Sequence, residues 1–236
     1  MQESEQDAGL HLERMLDRAA RARQAVAGDA RVVSIRQRLR AWQAARLSRT
    51  HADLLADRGM GPAAAFFLEE LYGTQDLGRI EADVRRIVPM LERFLPRAGL
   101  ATVARAIELE ALSEELDGDM ARALASTKGE LTAAAYGRAY RGVGRRADRE
   151  RQIELIREVG ASLDHLVHHR LIGTTLSLMR WPAQRAGLSA LHDFLQRGYR
   201  AFAAMGGAED FLERIESREM AVLREVFAGD DAPLRS

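Results

Sequence analysis

Apolar residues recur every three or four positions along almost the whole chain. Val32, Ile35, Leu39 and Trp42 line one face of a 3.6-residue helix, as do Leu100, Val103, Ile107 and Ala111. Leu77, Ile80, Val84, Ile87 and Leu91 make another such stripe, and Leu188, Leu191, Leu195 and Phe202 a further one. The alternation of half-buried strands is nearly absent, and Val, Ile and Thr total only 26 of 236 residues. Ala, Leu, Glu and Arg, all good helix formers, dominate. The pattern predicts an all-α fold, an irregular bundle of about eight to ten helices around a single core.

Glycine, proline and acidic pairs mark the expected boundaries. The first helix is predicted over about 10–27, stopped by Gly28. The second starts at Asp29. It either runs on toward residue 56 or yields to a helix capped by Ser48, or by Thr50 with Asp53 three residues on. Pro62 opens a short helix ending at Gly73. A helix from Asp76 is interrupted at Pro89 and closed by Pro96. The next ends near Asp117-Gly118-Asp119, and another runs from Met120 to about Arg141. Gly142 and Gly144 precede a long helix at 147–169, and a short one at 171–179 stops before Trp181-Pro182. Two more follow, the first ended by Gly206-Gly207. Residues 1–49 read as an Arg-rich N-terminal arm or first helices, 50–228 as the bundle, and 229–236 as a frayed tail. Short connections predict antiparallel packing of consecutive helices.

Composition narrows the function classes. Zero Cys excludes disulfide scaffolds, thiol nucleophiles, zinc fingers and Cys-ligated clusters. The acidic, polar start is unlike a signal peptide. No apolar run approaches the roughly 18 residues of a membrane span. The expectation is a cytoplasmic protein with no membrane association. Of 35 basic residues only Lys128 is lysine, which reads as the imprint of a GC-rich genome or as selection for bidentate carboxylate and phosphate contacts.

Residues 66–72 read Phe66-Phe67-Leu68-Glu69-Glu70-Leu71-Tyr72. This heptapeptide resembles, without departure, the name-giving motif of the bacterial FFLEELY-motif proteins. The likeness extends from about Arg46 to the C-terminus and includes the 136–151 and 202–207 stretches. That resemblance implies no activity, cofactor or catalytic residue. On a helix, Phe67, Leu68, Leu71 and Tyr72 share an apolar arc, and Phe66 falls opposite, between Glu69 and Glu70. Three readings stand: a helix buried on nearly all sides with both Glu paired to Arg, a partner-contact surface anchored by Phe66, or a Glu that ligates metal or acts as a base.

Other constellations carry weaker chemistry. Asp164, His165, His168 and His169 include two pairs spaced by four, with Glu158 on the same face as His165. Such pairs can supply metal ligands from one helix, or the histidines can simply favour a helix C-terminus. No Glu-x-x-His or His-Glu-x-x-His occurs. His192 reads as a hydrogen-bonded boundary residue rather than a haem ligand. Gly142-Val143-Gly144-Arg145-Arg146-Ala147 follows a helix pattern rather than a strand, so it is a helix–helix turn and not a dinucleotide site. Arg141, Arg145 and Arg146 beside that turn are candidates for a bound phosphate or carboxylate. Residues 21–49 hold eight Arg against one acid, Asp29, and residues 108–119 hold six acids. The two patches can dock within the chain or between copies. Arg36, Arg38 and Arg40 are also the candidates for nucleic-acid contact.

The leading expectation is a protein-interaction or regulatory module that meets a partner or itself. The alternative is a metal- or cofactor-dependent helical protein using residues 164–169. No motif decides whether the chain is an enzyme or names a cofactor.

Overall fold

The computed structural model describes residues 3–72, 84–86, 88, 97–126 and 130–235. The expected helix from Asp76 with its break at Pro89 falls mostly outside them. Among the described residues there are ten α-helices, one 3-10 helix and no strand. None of these helices is long and apolar enough to cross a membrane.

Helix α1 (Glu3–Ala27) ends at Gly28. The Asp29 carboxylate then accepts the backbone N–H groups of Arg31 and Val32 at 2.9 and 3.1 Å, which satisfies two orphan donors and starts α2 (Ala30–Thr50). Ser48 and Thr50 do not cap a new helix. Their hydroxyls donate back to the Ala44 and Arg46 carbonyls at 2.8 and 3.1 Å. The chain turns at His51 instead and enters α3 (Ala52–Ala56). Asp57 accepts the Gly59 and Met60 N–H groups and leads into α4 (Gly61–Tyr72).

Helix α5 (Arg97–Ala125) runs straight through the expected stop at Asp117-Gly118-Asp119. Both carboxylates are engaged by arginines rather than by nearby backbone donors, so they do not compete with the helix. Asp117 accepts from Arg40 and Gln43, and Asp119 from Arg122 and Arg145. Gly118 is where α1 passes, and a Cβ there would stand 3.2 Å from the Val26 side chain. The helix expected from Met120 onward is accordingly split. Thr132 caps α6 (Ala133–Val143) through the Ala135 N–H.

Gly144 and Arg145 both take positive φ, 68° and 54°, before α7 (Arg146–Val167). A left-handed non-glycine residue costs on the order of 1 kcal/mol. Arg145 offsets this by reaching Asp148, Asp119 and Glu115 at 2.7, 2.9 and 3.0 Å. Helix α8 (Arg170–Arg185) does not stop before Trp181-Pro182. Pro182 lies within it, forgoing its own N–H bond, and its carbonyl still accepts from Ala186 at 3.0 Å. Helices α9 (Ser189–Met205) and α10 (Glu209–Ala228) follow, joined by Gly206 and Gly207.

The last residues are not a frayed tail. They form a 3-10 turn (Ala232–Leu234) whose Leu234 is buried with Leu39, Met120 and Tyr136. Arg141 donates to Asp231 at 2.7 Å and to the Val226 carbonyl at 2.9 Å, which ties this turn to α6 and α10.

Helix α5 is the spine, with α1, α2, α6 and α7 packed around it. Leu12 and Leu16 of α1 are buried with Leu100 and Ala104 of α5 and Leu191 of α9, so the first helices are part of the core. On the other side of α7 lie α9 and α10, with α4 against α9. Phe66, Phe202 and Phe211 fill that second region. The main neighbour of α1 is thus α5, not the consecutive α2.

Candidate functional site

Helices α2, α4, α6, α7 and α10 leave between them a cavity of about 100 Å³. Apolar walls come from Leu54, Phe67, Ile153, Ile215 and Val222. The polar side chains are few and come from separate elements. Gln43 and Arg46 stand on α2, His51 at the α2–α3 junction, Tyr136 and Tyr140 on α6, Arg149 and Gln152 on α7, and Glu219 on α10.

Glu219 is the organising carboxylate. Its Oε1 accepts Arg46 Nη1 at 2.7 Å and His51 Nε2 at 2.9 Å. Burial pushes its pKa up, but the Arg46 charge and the two hydrogen bonds outweigh it and hold the group at about 2. Glu219 is therefore ionised, and the His51 nitrogen facing it must carry a proton. Tyr140 is pushed above its ordinary value by burial, so its phenol stays protonated. Its ring lies tilted against Tyr136, which stacks on Trp42.

Arg149 is the anomaly. It is 5% exposed, and its guanidinium carbon lies 3.7 Å from the Tyr140 ring centroid. It makes no ion pair among the described residues, and Nε and Nη2 are buried without a hydrogen-bond partner. Gln43 Oε1 and His51 Nδ1 are buried and unpartnered too. Arg46 and Arg149 set two guanidiniums against the one carboxylate of Glu219. Burying an unpaired cation is costly, so this arrangement calls for an anion.

A family model described as a domain of unknown function (DUF8198) matches residues 22–233. The chain belongs to this family. No curated protein and no solved structure matches it. The DUF8198 span takes in every polar residue that lines the cavity.

In this DUF8198 chain Phe67 and Leu68 of the heptapeptide line the cavity, but the candidate site residues singled out from sequence lie elsewhere. Phe66 is not a surface anchor. It is 9% exposed, with its ring 5.5 Å from that of Phe194, because α9 covers the side of α4 that the motif left open. Glu69 is exposed and makes no ion pair among the described residues, so it is not a buried carboxylate paired to Arg. The Glu70 side chain falls outside the described residues. Arg141, Arg145 and Arg146 do not converge on a phosphate. Arg141 holds Asp231, Arg145 its three carboxylates, and Arg146 holds Glu150 at 2.9 Å.

Among the described residues no group of three His, Asp or Glu side chains is placed to hold a metal. His165, His168 and His169 are exposed at the end of α7. His168 caps that end, its Nδ1 donating to the Asp164 carbonyl at 2.7 Å. Glu158 is taken by Arg151 and Arg105. His192 is hydrogen-bonded as expected, with Nε2 donating to the Leu176 carbonyl at 2.9 Å, but it is buried rather than at a boundary.

The basic and acidic patches meet inside the chain. Arg36 and Arg40 reach Glu114 at 2.5 and 2.7 Å, and Arg40 also reaches Asp117 at 3.1 Å. Arg38 is exposed. Two of the three arginines considered for nucleic acid are thus occupied.

Sequence reasoning missed Gln43, His51, Arg149 and Glu219. A signal existed: Arg149 continues the stripe of Ile153, Ile156 and Gly160, and Glu219 sits between Ile215 and Val222. A charge in register with a core face is the mark of a buried polar site.

Proposed function

We propose that this protein binds a small anionic molecule in the cavity between α2, α6, α7 and α10. One observation carries the reading: a buried arginine, Arg149, with two unmet hydrogen-bond donors and no carboxylate partner among the described residues. The size of the cavity supports a small ligand. An apolar cavity of about 150 Å³ accommodates benzene, and this one is about 100 Å³. Charge-assisted bonds to a buried guanidinium contribute about 1.5–3 kcal/mol. Replacing Arg149 by methionine is therefore expected to weaken binding of acetate or propionate by at least about tenfold. The same change leaves the ligand-free melting temperature unchanged or raised, because it removes an uncompensated charge. Isothermal titration with calorimetric melting checks both. A fall in melting temperature with unaltered anion affinity would give Arg149 a structural role instead.

A protein-contact role is the second reading, favoured by the exposed apolar side chains of α8. Leu178 and Trp181 on α8 are 74% and 62% exposed, as is Met179 next to Leu178 in the chain to a lesser degree, and Leu195 on α9 is exposed too. Exposed apolar groups of this kind suit a contact surface. Self-association that is lost in Leu178→Asp at unchanged melting temperature is the expected result in sedimentation velocity. A chain that sediments as a monomer at every concentration would remove it.

A further inference from the structure

We infer that the molecule bound in this cavity is a small hydroxy-monocarboxylate, an inference that rests on the anion-binding reading above. It follows from the buried polar atoms left without partners on residues that line the cavity.

The unmet donors come first. Nε and Nη2 of Arg149 form one edge of the guanidinium, the edge that grips a carboxylate with two parallel hydrogen bonds. The same edge is used that way in this chain, where Arg18 Nε and Nη2 reach Glu115 Oε1 and Oε2 at 2.6 and 2.9 Å. Arg149 presents the edge without the acid. A ligand carboxylate completes it.

The unmet acceptors come second. Gln43 gives its amide nitrogen to Asp117 at 3.2 Å, which fixes the amide orientation and leaves Oε1 as a bare acceptor. His51 gives Nε2–H to ionised Glu219, so in the neutral ring Nδ1 is also a bare acceptor. A simple carboxylate has nothing to offer these two atoms. A ligand that carries an O–H or N–H group does.

Charge separates the hydroxyl from the amine. Arg46, Arg149 and Glu219 together carry +1. A hydroxy-monocarboxylate brings −1 and makes the buried site neutral. A zwitterionic amino acid leaves +1 uncompensated, and a dicarboxylate leaves −1. Volume sets the size: on the scale of benzene in about 150 Å³, this cavity takes roughly four non-hydrogen atoms. Glycolate, with one carbon fewer than lactate, comes nearer to that size.

The test uses the unmodified full chain, titrated by calorimetry and by amide chemical shifts with glycolate, lactate, propionate, glycine and 1,2-propanediol. Glycolate or lactate is expected to bind at least tenfold more tightly than propionate, with glycine and the diol weaker still. The shifts should centre on Gln43, His51 and Arg149. Propionate binding as tightly as glycolate would overturn the hydroxyl assignment and leave the anion reading standing. Glycine binding best would overturn it in favour of an amino acid. Binding of none of the five would overturn both readings and make the cavity a water site. Because the comparison is between ligands on one protein, it does not depend on any variant folding.

Discussion

Replacing Glu114 by glutamine lowers the unfolding free energy by about 3–5 kcal/mol, the usual effect of breaking a buried ion pair from one side. The Glu114 side chain is 2% exposed and receives two guanidiniums, Arg36 at 2.5 Å and Arg40 at 2.7 Å. An amide oxygen cannot balance both charges, and its own N–H₂ points donors at donors. The effect should fall toward the lower end of the range. Burial, helped by the Glu114 charge, raises the Glu110 and Asp117 carboxyls above their ordinary values, so removing one negative charge relieves its neighbours. For a chain of this length the loss corresponds to a melting temperature lower by roughly 10 °C. Urea unfolding and calorimetry measure it. Added salt should not mimic the change, because the pair is shielded from solvent. Arg146→Ala is the matched control. It breaks an exposed pair with Glu150 and should cost under about 0.5 kcal/mol. An unaltered midpoint for Glu114→Gln would mean that α2 is not docked on α5 through this carboxylate.

Phe66→Ala is expected to cost a similar amount, about 3–5 kcal/mol, by a different mechanism. The ring lies among Phe67, Phe194 and the bare backbone of α9 at Gly198, where an added Cβ would come within 3.0 Å of it. Removing the ring leaves a void facing a glycine, with no side chain there to relax into it. That keeps the cavity term large. The double change Phe66→Ala with Gly198→Ala should recover part of the loss by putting a methyl into the void. Thermal unfolding of the two variants checks both statements. A Phe66→Ala protein that melts like the parent would return Phe66 to the role of a surface contact.

The two variants probe the two ways this chain joins its helices. Around α5 the contacts are arginine–carboxylate pairs laid over a modest apolar seam. Around α4, α9 and α10 they are aromatic rings: Phe67 lies 5.8 Å from Phe202 and 6.0 Å from Phe211. The cavity opens where these regions meet, with Arg46 and Glu219 joined 173 positions apart in sequence.

Much of the helical content is legible in the residues alone. The stripe through Val32, Ile35 and Leu39, the Asp29 cap, and the Gly206-Gly207 stop are local facts, decided by periodicity and backbone chemistry within a few residues. The errors share one cause. Asp117-Gly118-Asp119 reads as a helix end, and Pro182 as a barrier, only while their surroundings are unknown. Arg40, Gln43 and Arg145 occupy the acids, and Val26 fills the space at the glycine. The opposite charges of residues 21–49 and 108–119 suggested a docking without saying whether one chain or two would make it. The site was less legible still. Glu219 and Arg149 each sit on an apolar stripe, which marks them as buried, but a period of 3.6 says only which face a residue occupies. Which helix lies opposite that face is decided by packing among elements far apart in sequence, and packing alone gave Glu219 two donors and left Arg149 Nε and Nη2 without an acceptor among the described residues.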